Sequence, residues 1–448
     1  MRKNVNAAIE ERMFGSFFKR AVTKCMERVF LLILCILFIG FISGCGKKSP
    51  VEVKKVKIRY SNAESFPELI KRHKAIVDKF NETHPDIEVV YEVTHGAAQK
   101  ILIELASGSP PDVFFWWEHL LGPVAEKGSV IDLSPYIKDV NLNDYFPVFG
   151  NWLDNGKLYG FPYIWGPMVL FYNKNMFDKA GLNYPDKDWT WDDFVEAAKK
   201  LTILSEDGKV IQYGNAALDD GLANQVLYSF GGDFFDKDTT RSTIDSPEAR
   251  EAFNFVVELQ TKHKVVPKPY EMDYLKLGNR EMFEAGKLAM SITWLNVLEG
   301  FEEHIKDFSW DVAPVPMKKG KKRVVLGGSS ALCVSTQSKH PKEASEFIKF
   351  ACGYEGGKIL AEHGGLPPHK KAFFETVSSP PEHIAEVCIE QMDYFVSVSY
   401  LKKAWAGEFE TRIINPENEK LFMGLQSVDQ TVSNIKKESE KLLQVERR

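Results

Sequence analysis

The chain has 448 residues, 57 Lys or Arg against 62 Asp or Glu, a formal charge of −5 and 12% aromatic side chains. An acidic balance without long basic runs argues against nucleic acid as a partner, because phosphate recognition needs clustered Lys and Arg. The length suits two domains with large cores, and of six cysteines the three past residue 45 are too widely spaced to make a disulfide framework or a metal knuckle.

The N-terminal residues read as a targeting leader. Lys24 and Arg28 precede an apolar run over residues 29–42. That run is shorter than the ~20 residues of a comfortable membrane span, and with its positive flank it suits a signal-peptide core. Met13 and Met26 are alternative starts for so long a leader. The run closes on Ile42-Ser43-Gly44-Cys45, which is similar to a bacterial lipobox. Cleavage before Cys45 is expected, with lipid on Cys45 and a charged tether over residues 45–56; an uncleaved anchor helix is the alternative. Loss of residues 1–44 removes seven Lys or Arg and three Asp or Glu, leaving a charge near −9. Past Cys45 only Cys333, Cys352 and Cys388 remain.

Beyond the tether, strands and helices alternate. "VKIRYS" and "IEVVYEV" read as strands, the second with Ile87, Val89, Tyr91 and Val93 on one face. Between them Leu69, His73, Ile76, Val77 and Phe80 recur at helical spacing, and residues 97–107 form a second helix that stops at "SGSPP". "DVFFWW" is apolar on both faces, as a central parallel strand covered by helices requires. "MVLFYN", "KLAMSITW", "WDVAPVP" and "ALCVST" are further strands. Thr190 and Asp193 bracket a capping box ahead of the stripe Phe194, Ala197, Ala198 and Leu201. Ser246-Pro247-Glu248 starts another helix. The order gives an α/β layer structure whose lobes exchange strands, since no tandem repeat or long linker divides the chain.

Common catalytic signatures are absent: H-E-x-x-H, G-x-S-x-G, C-x-x-C and a G-x-G-x-x-G after a strand. "CGYEGGKI" lacks the first Gly of a phosphate loop and the Ser or Thr after Lys358. "DKDTTRSTID" matches a calcium loop only at Asp236 and Asp238 and reads as a polar turn. The acidic pairs Asp219-Asp220 and Glu302-Glu303 leave open a carboxylate couple at a glycosidic bond. His363 and His369 flank a Gly-Pro turn and read as structural. No metal and no cofactor are indicated.

Six segments, "ASGSPPDVFFWW", "GKLYGFPYIWGPMVLFYNKNMFDKAGL", "SFGGDFFDKDTTRSTIDSPEA", "FEAGKLAMSITW", "VLGGSSALCVSTQSKHPKEASEFIKF" and "GGLPPHKKAF", occur in one order. Together they resemble the extracellular solute-binding proteins of ABC importers, in the oligosaccharide-binding branch that includes maltose-binding protein. The resemblance spans nearly all of residues 55–445. It departs at "SNAES", where many relatives carry aromatics, and at "GGLPPHKK", which lacks an Arg often seen there.

The resemblance implies a two-lobed, type II periplasmic-binding-protein-like α/β fold, each lobe a mostly parallel sheet flanked by helices. The chain would cross the hinge near 163–167, 326–328 and 354–357. The N-terminal lobe would then hold 57–164 and 327–355, and the C-terminal lobe 165–326 and 356–448. It further implies a monomer that captures a sugar and delivers it to a permease with a separate ATPase, and no enzyme activity. A glycerol phosphodiester or other polar cargo, and a surface glycan-processing enzyme, are the alternatives.

In open α/β sheets ligands bind beyond the carboxyl ends of strands, and a saccharide needs flat aromatic area for its C–H face and polar partners for its hydroxyls. These needs select Asn62 and Glu64 after the first strand, and Trp116 with Glu118 after the third. Tyr163 and Trp165 lie at the first crossing, Trp294 at a strand end, and Gly327, Gly328 and Ser329 at the second crossing, where small residues admit a ligand to the backbone. Asp219 and Trp405 are further candidates. Alternation along the strand puts Trp116 on the side of Glu118 and Trp117 on the other, so Trp116 is expected in the cleft. Trp152, Trp189, Trp191 and Trp310 are expected to pack.

Overall fold

The computed structural model describes residues 55–446 except 63–66, 94–97, 155, 377–382 and 397. The leader, Cys45, nearly all of the tether and Glu64 therefore lie outside the described residues.

Seven strands form one mixed sheet: β1 (Val56–Asn62), β2 (Ile87–Val93), β3 (Val113–Trp117), β4 (Phe161–Asn173), β5 (Met290–Trp294), β6 (Trp310–Ala313) and β7 (Gly327–Val334). Their order is β6-β4-β7-β3-β1-β2, with β5 also on β4. β1 pairs in parallel with β2 and β3, and the helices Pro67–Thr83 and Ala98–Ser107 make the connections. The expected apolar positions of the first helix, Leu69, Ile76, Val77 and Phe80, are all buried, together with His73.

A mostly parallel sheet was expected in each lobe, and only β1 to β3 meet that expectation. β7 runs antiparallel to β3 and β4, and β5 and β6 are antiparallel to β4. The cause is chain direction: β4 carries the chain out of one core and β7 carries it back.

β4 is long enough to serve two cores. Residues 161–167 pair with β7, and residues 168–173 pair with β5 and β6. Phe161 and Tyr163 belong to a first core with Ile58, Phe115 and Val334. Past Pro167 the two-residue period sends Met168, Leu170 and Tyr172 into one layer and Val169 and Phe171 into another. The first of these layers holds the helices Trp191–Leu201, Asp220–Phe230 and Pro247–Thr261. Thr190 accepts the Asp193 N–H in the expected capping box, and Phe194, Ala197, Ala198 and Leu201 face inward. Ser246 likewise caps the helix that begins at Pro247.

The return strand repeats the pattern in reverse, with Leu326 in the second core and Ala331 in the first. Residues 354–357, where the third crossing was expected, open the helix Tyr354–Glu362. The helix Tyr354–Glu362 packs on Pro67–Thr83, its Gly356 and Gly357 are buried, and Leu360 lies in the first core. Leu366 is the residue that joins the layer containing Trp165. Neither glycine has room for a Cβ: at Gly356 it would overlap the Phe350 and Ala351 carbonyls, and at Gly357 it would stand 2.9 Å from Ala372 Cβ and 3.1 Å from Pro367 Cβ. Cys333, Cys352 and Cys388 are buried and unpaired, and burial pushes each thiol far up from its ordinary range.

Candidate functional site

A cavity of about 440 Å³ opens where β3 and β5 end and β4 and β7 cross. One wall comes from the first core, through Phe115, Trp117 and Glu118; the other comes from Asp220, Asn224, Trp294, Tyr400 and Glu410. It lies beyond the carboxyl edge of the parallel strands, where ligands of such sheets bind.

The doublet Trp116-Trp117 divides as the strand demands, in the sense opposite to the expected one. Trp116 is 0% exposed, packs edge-to-face on Phe114 and donates Nε1–H to the Leu120 carbonyl at 2.8 Å. Trp117 lines the cavity above Phe115, edge-to-face at 5.5 Å. Glu118 also lines it, because β3 stops at Trp117 and Glu118 opens a 3₁₀ turn, Glu118–Leu120. The period of two ends with the strand, so Glu118 does not share the side of Trp116. Its Oε2 accepts the Ser329 N–H at 3.2 Å.

The helix Asp220–Phe230 supplies a polar stripe. Asp220, Asn224 and Tyr228 are spaced by four, lie on one face and line the cavity, while Leu222, Val226 and Leu227 are buried in the second core. Asp219, expected at the ligand, caps this helix: it accepts the Leu222 N–H at 2.8 Å and the Asn279 amide at 3.1 Å. It is absent from the cavity lining, and Asp220 takes its place.

At the crossing, Gly328 pairs with Gly166 across β7 and β4. A Cβ on Gly328 would stand 3.1 Å from Glu118 Oε1 and 3.6 Å from the Trp294 ring, so glycine keeps the space between carboxylate and indole open. Trp294 is 37% exposed and presents its ring there. Ser329 offers the cavity little hydroxyl, since its Oγ accepts Nε1–H of buried Trp152 at 2.7 Å. Trp165 lines the floor and donates to the Pro367 carbonyl at 3.0 Å.

Two other expected ligand residues are core. Tyr163 is 1% exposed and stacks on His73 at 5.0 Å. Asn62 is 0% exposed and donates to the Tyr91 hydroxyl at 2.7 Å. Both sit on strand positions that alternation turns inward. Trp405 backs the wall instead of lining it, stacked on Tyr400 at an interplanar angle of 10°, and Tyr400 makes the surface.

The C-terminal wall was not legible as a site. Glu410, Ile414 and Asn415 line the cavity from a π-helical turn, Glu410–Ile414, that runs into the helix Asn415–Phe422. The Asn415 N–H donates to the Glu410 carbonyl, five residues back. Pro416 explains the wide turn: it has no N–H to donate and its ring crowds the carbonyl four residues before it. "IINPENEK" carried that signal, which points to a local irregularity of a kind common at functional sites.

The cavity is acidic, with Glu118, Asp220 and Glu410 facing Arg72. Burial pushes Glu410 up to about 7, against the Tyr400 hydroxyl bond of 3.1 Å and with nearby Asp220 adding to the rise. Burial also raises Asp220, although the Asn418 amide opposes it. His119 is driven down to about 4 by burial, so it is neutral near pH 7. Such a site offers hydrogen-bond acceptors and amides beside indole and phenol faces. It suits a polyol with apolar ring faces and suits a phosphate poorly.

The profile of the bacterial extracellular solute-binding proteins matches residues 61–358. The chain is 27% identical over 288 residues to an arabinooligosaccharide-binding protein of Halalkalibacterium halodurans, covering 60% of this chain and 62% of that one. It is 27% identical over 308 residues to a diacetylchitobiose binding protein of Streptomyces coelicolor, covering 65% and 68%. An ABC substrate-binding protein of Listeria monocytogenes, solved in complex with cycloalternan, superposes with a TM-score of 0.77 at 26% identity, covering 87% of this chain and 99% of that one.

Proposed function

The chain belongs to the bacterial extracellular solute-binding proteins, and on that premise we propose that it captures a neutral saccharide in the cavity between its two cores for an ABC importer. The observation that carries this reading is that Trp117 from one wall and Trp294 from the other line the same cavity, with Glu118, Asp220 and Asn224. Ring faces take the C–H surface of a pyranose or furanose, and buried acceptors discriminate among hydroxyls, because a missing hydroxyl leaves them unpaired.

The first lobe comprises residues 57–164 and 327–362, and the second 165–326 and 363–446. The later boundary follows the packing of the helix Tyr354–Glu362. The lobes turn about β4, β7 and the passage before Leu366. A saccharide held by both walls favours the closed arrangement by its difference in affinity for the two states. The closed protein then docks on a permease, and a separate ATPase drives transport. Residues 1–44 serve as a signal peptide, and Cys45 carries the lipid that keeps the monomer on the outer face of the membrane. No bond of the cargo changes. Arg72 alone does not make the basic cluster that a phosphodiester cargo requires, and with three carboxylates in the same walls it leaves such a cargo disfavoured.

Thermal unfolding and calorimetry against arabinotriose, maltotriose, diacetylchitobiose, cycloalternan and glycerophosphodiesters test the reading. One saccharide is expected to raise the melting temperature, with ~2.7 kcal/mol of added stability at a hundredfold excess over its Kd. Stabilisation by a phosphodiester alone, or steady release of reducing sugar from a glycan, overturns it.

A further inference from the structure

The two cores meet at a second place besides the crossing strands. The 3₁₀ turn Glu118–Leu120 and the short helix Leu121–Glu126 follow β3, and Leu121 and Val124 are anchored in the first core. The 3₁₀ turn Ser399–Lys402 and the helix Ala406–Phe409 belong to the second core through Tyr400, Leu401, Ala406 and Phe409. These two segments pack directly on each other.

At Gly122 the contact is made at backbone level, and at Gly407 it is made against the end of a leucine side chain. A Cβ on Gly122 would overlap the Lys403 carbonyl and stand 2.8 Å from the Ala404 nitrogen, atoms that cannot swing aside. A Cβ on Gly407 would stand 3.0 Å from Leu120 Cδ2 and 3.8 Å from the His119 carbonyl oxygen. Neither glycine has the positive φ that would demand glycine for its own backbone. Close approach is thus the remaining physical reason for glycine at both positions.

The seam also divides space. On one side lies the saccharide cavity, lined by Glu118, His119, Tyr400 and Leu401. On the other lies a polar cavity of about 520 Å³, lined by Leu121, Gly122, Lys402 and Lys403. The same two strips of chain wall both, from opposite faces.

We propose that Gly122 and Gly407 form a seam through which the two lobes lock on each other, closing one end of the saccharide cavity, so that capture depends on residues that never touch the sugar. This rests on the proposed function, and it adds positioning residues and an end wall to it. A substitution at Gly122 wedges the strips apart, lowers the closed population and weakens binding by the fraction lost.

Hydrogen exchange on Gly122→Ala and Gly122→Val provides a readout that needs no ligand. Backbone amides of residues 399–407 are expected to exchange faster than in the unsubstituted protein, although the change is made far away in sequence. Acceleration confined to residues 118–126 overturns the seam. Calorimetry with arabinotriose, maltotriose, diacetylchitobiose and cycloalternan is the second readout. For any sugar the unsubstituted protein binds, affinity is expected to fall about tenfold or more in Gly122→Val and less in Gly122→Ala, with far-ultraviolet dichroism unchanged. Gly407→Ala, placed on the opposite strip, is expected to move both readouts in the same direction by less than Gly122→Ala, because Leu120 Cδ2 can shift where the Lys403 carbonyl cannot. Undiminished affinity in variants whose seam has loosened overturns the claim that capture depends on it. If none of the sugars binds while exchange still spreads across the seam, the saccharide reading fails, and the claim that sugar capture depends on the seam falls with it.

Discussion

Trp116 and Trp117 show what one residue of strand register is worth. The two indoles are adjacent, yet one is sealed beneath Leu120 and the other stands in the cavity. Trp117→Ala is expected to weaken saccharide binding by about 1–2 kcal/mol while leaving the melting temperature nearly unchanged. Trp116→Ala is expected to cost about 3–5 kcal/mol of stability, the usual toll of a large core cavity. Calorimetry paired with denaturant unfolding separates the two, and equal effects on binding would contradict the assignment.

Glu410 makes a second residue-level prediction. Its carboxyl titrates near 7 in the fold and lower in the unfolded chain, so the folded state holds the extra proton between about pH 4.5 and 7. Stability from this group is present below that window and lost as pH rises through it. Glu410→Gln is expected to flatten the pH dependence of unfolding over this range and to gain about 2–3 kcal/mol at pH 8 relative to the parent. Urea titrations at pH 5 and pH 8 measure this, and an unchanged slope would count against it.

Among secondary elements, sequence was most informative where one rule governs. The capping box at Thr190, the Ser246-Pro247 start and the apolar stripe of the first helix follow from local chemistry and were read as they stand. Strand parity beyond β3 was misread because the strand ends one residue before Glu118, and periodicity cannot report its own termination. The stripe Asp220, Asn224 and Tyr228 was legible in principle, since spacing by four marks one helix face. Sequence alone does not separate Asp219 from Asp220, because which of the two caps the helix and which opens its polar stripe depends on where the first turn begins. The π-helical turn ahead of Pro416 carried its signal in one residue. Pro416→Ala is expected to let Glu410–Ile414 relax toward regular α-helix, rotating Glu410 and Asn415 off the cavity wall and lowering affinity by about 1–2 kcal/mol. Calorimetry against a binding saccharide checks this; unchanged affinity would show that the turn is not set by the proline.

For the whole molecule, the resemblance of six ordered segments gave the family and the two-lobed plan, because cores and crossings are distributed over long stretches of pattern. Pairings between distant strands were beyond it. A helix such as Tyr354–Glu362 joins one core or the other by tertiary contact rather than by composition. The plan predicts that a saturating saccharide shrinks the radius of gyration measured by small-angle scattering. The change is expected to be about 1 Å, as hinge closure rather than refolding would give. A profile that stays superimposable at saturation would refute closure.

The three sealed thiols have a practical corollary. Cys333, Cys352 and Cys388 lie within the hydrophobic layers and stay protonated, so alkylating dyes have no native target in a chain begun after Cys45. A single cysteine introduced on the rim near Trp294 would then take one fluorophore cleanly. The wild-type framework is in this respect ready-made as an optical reporter of whatever enters its cavity.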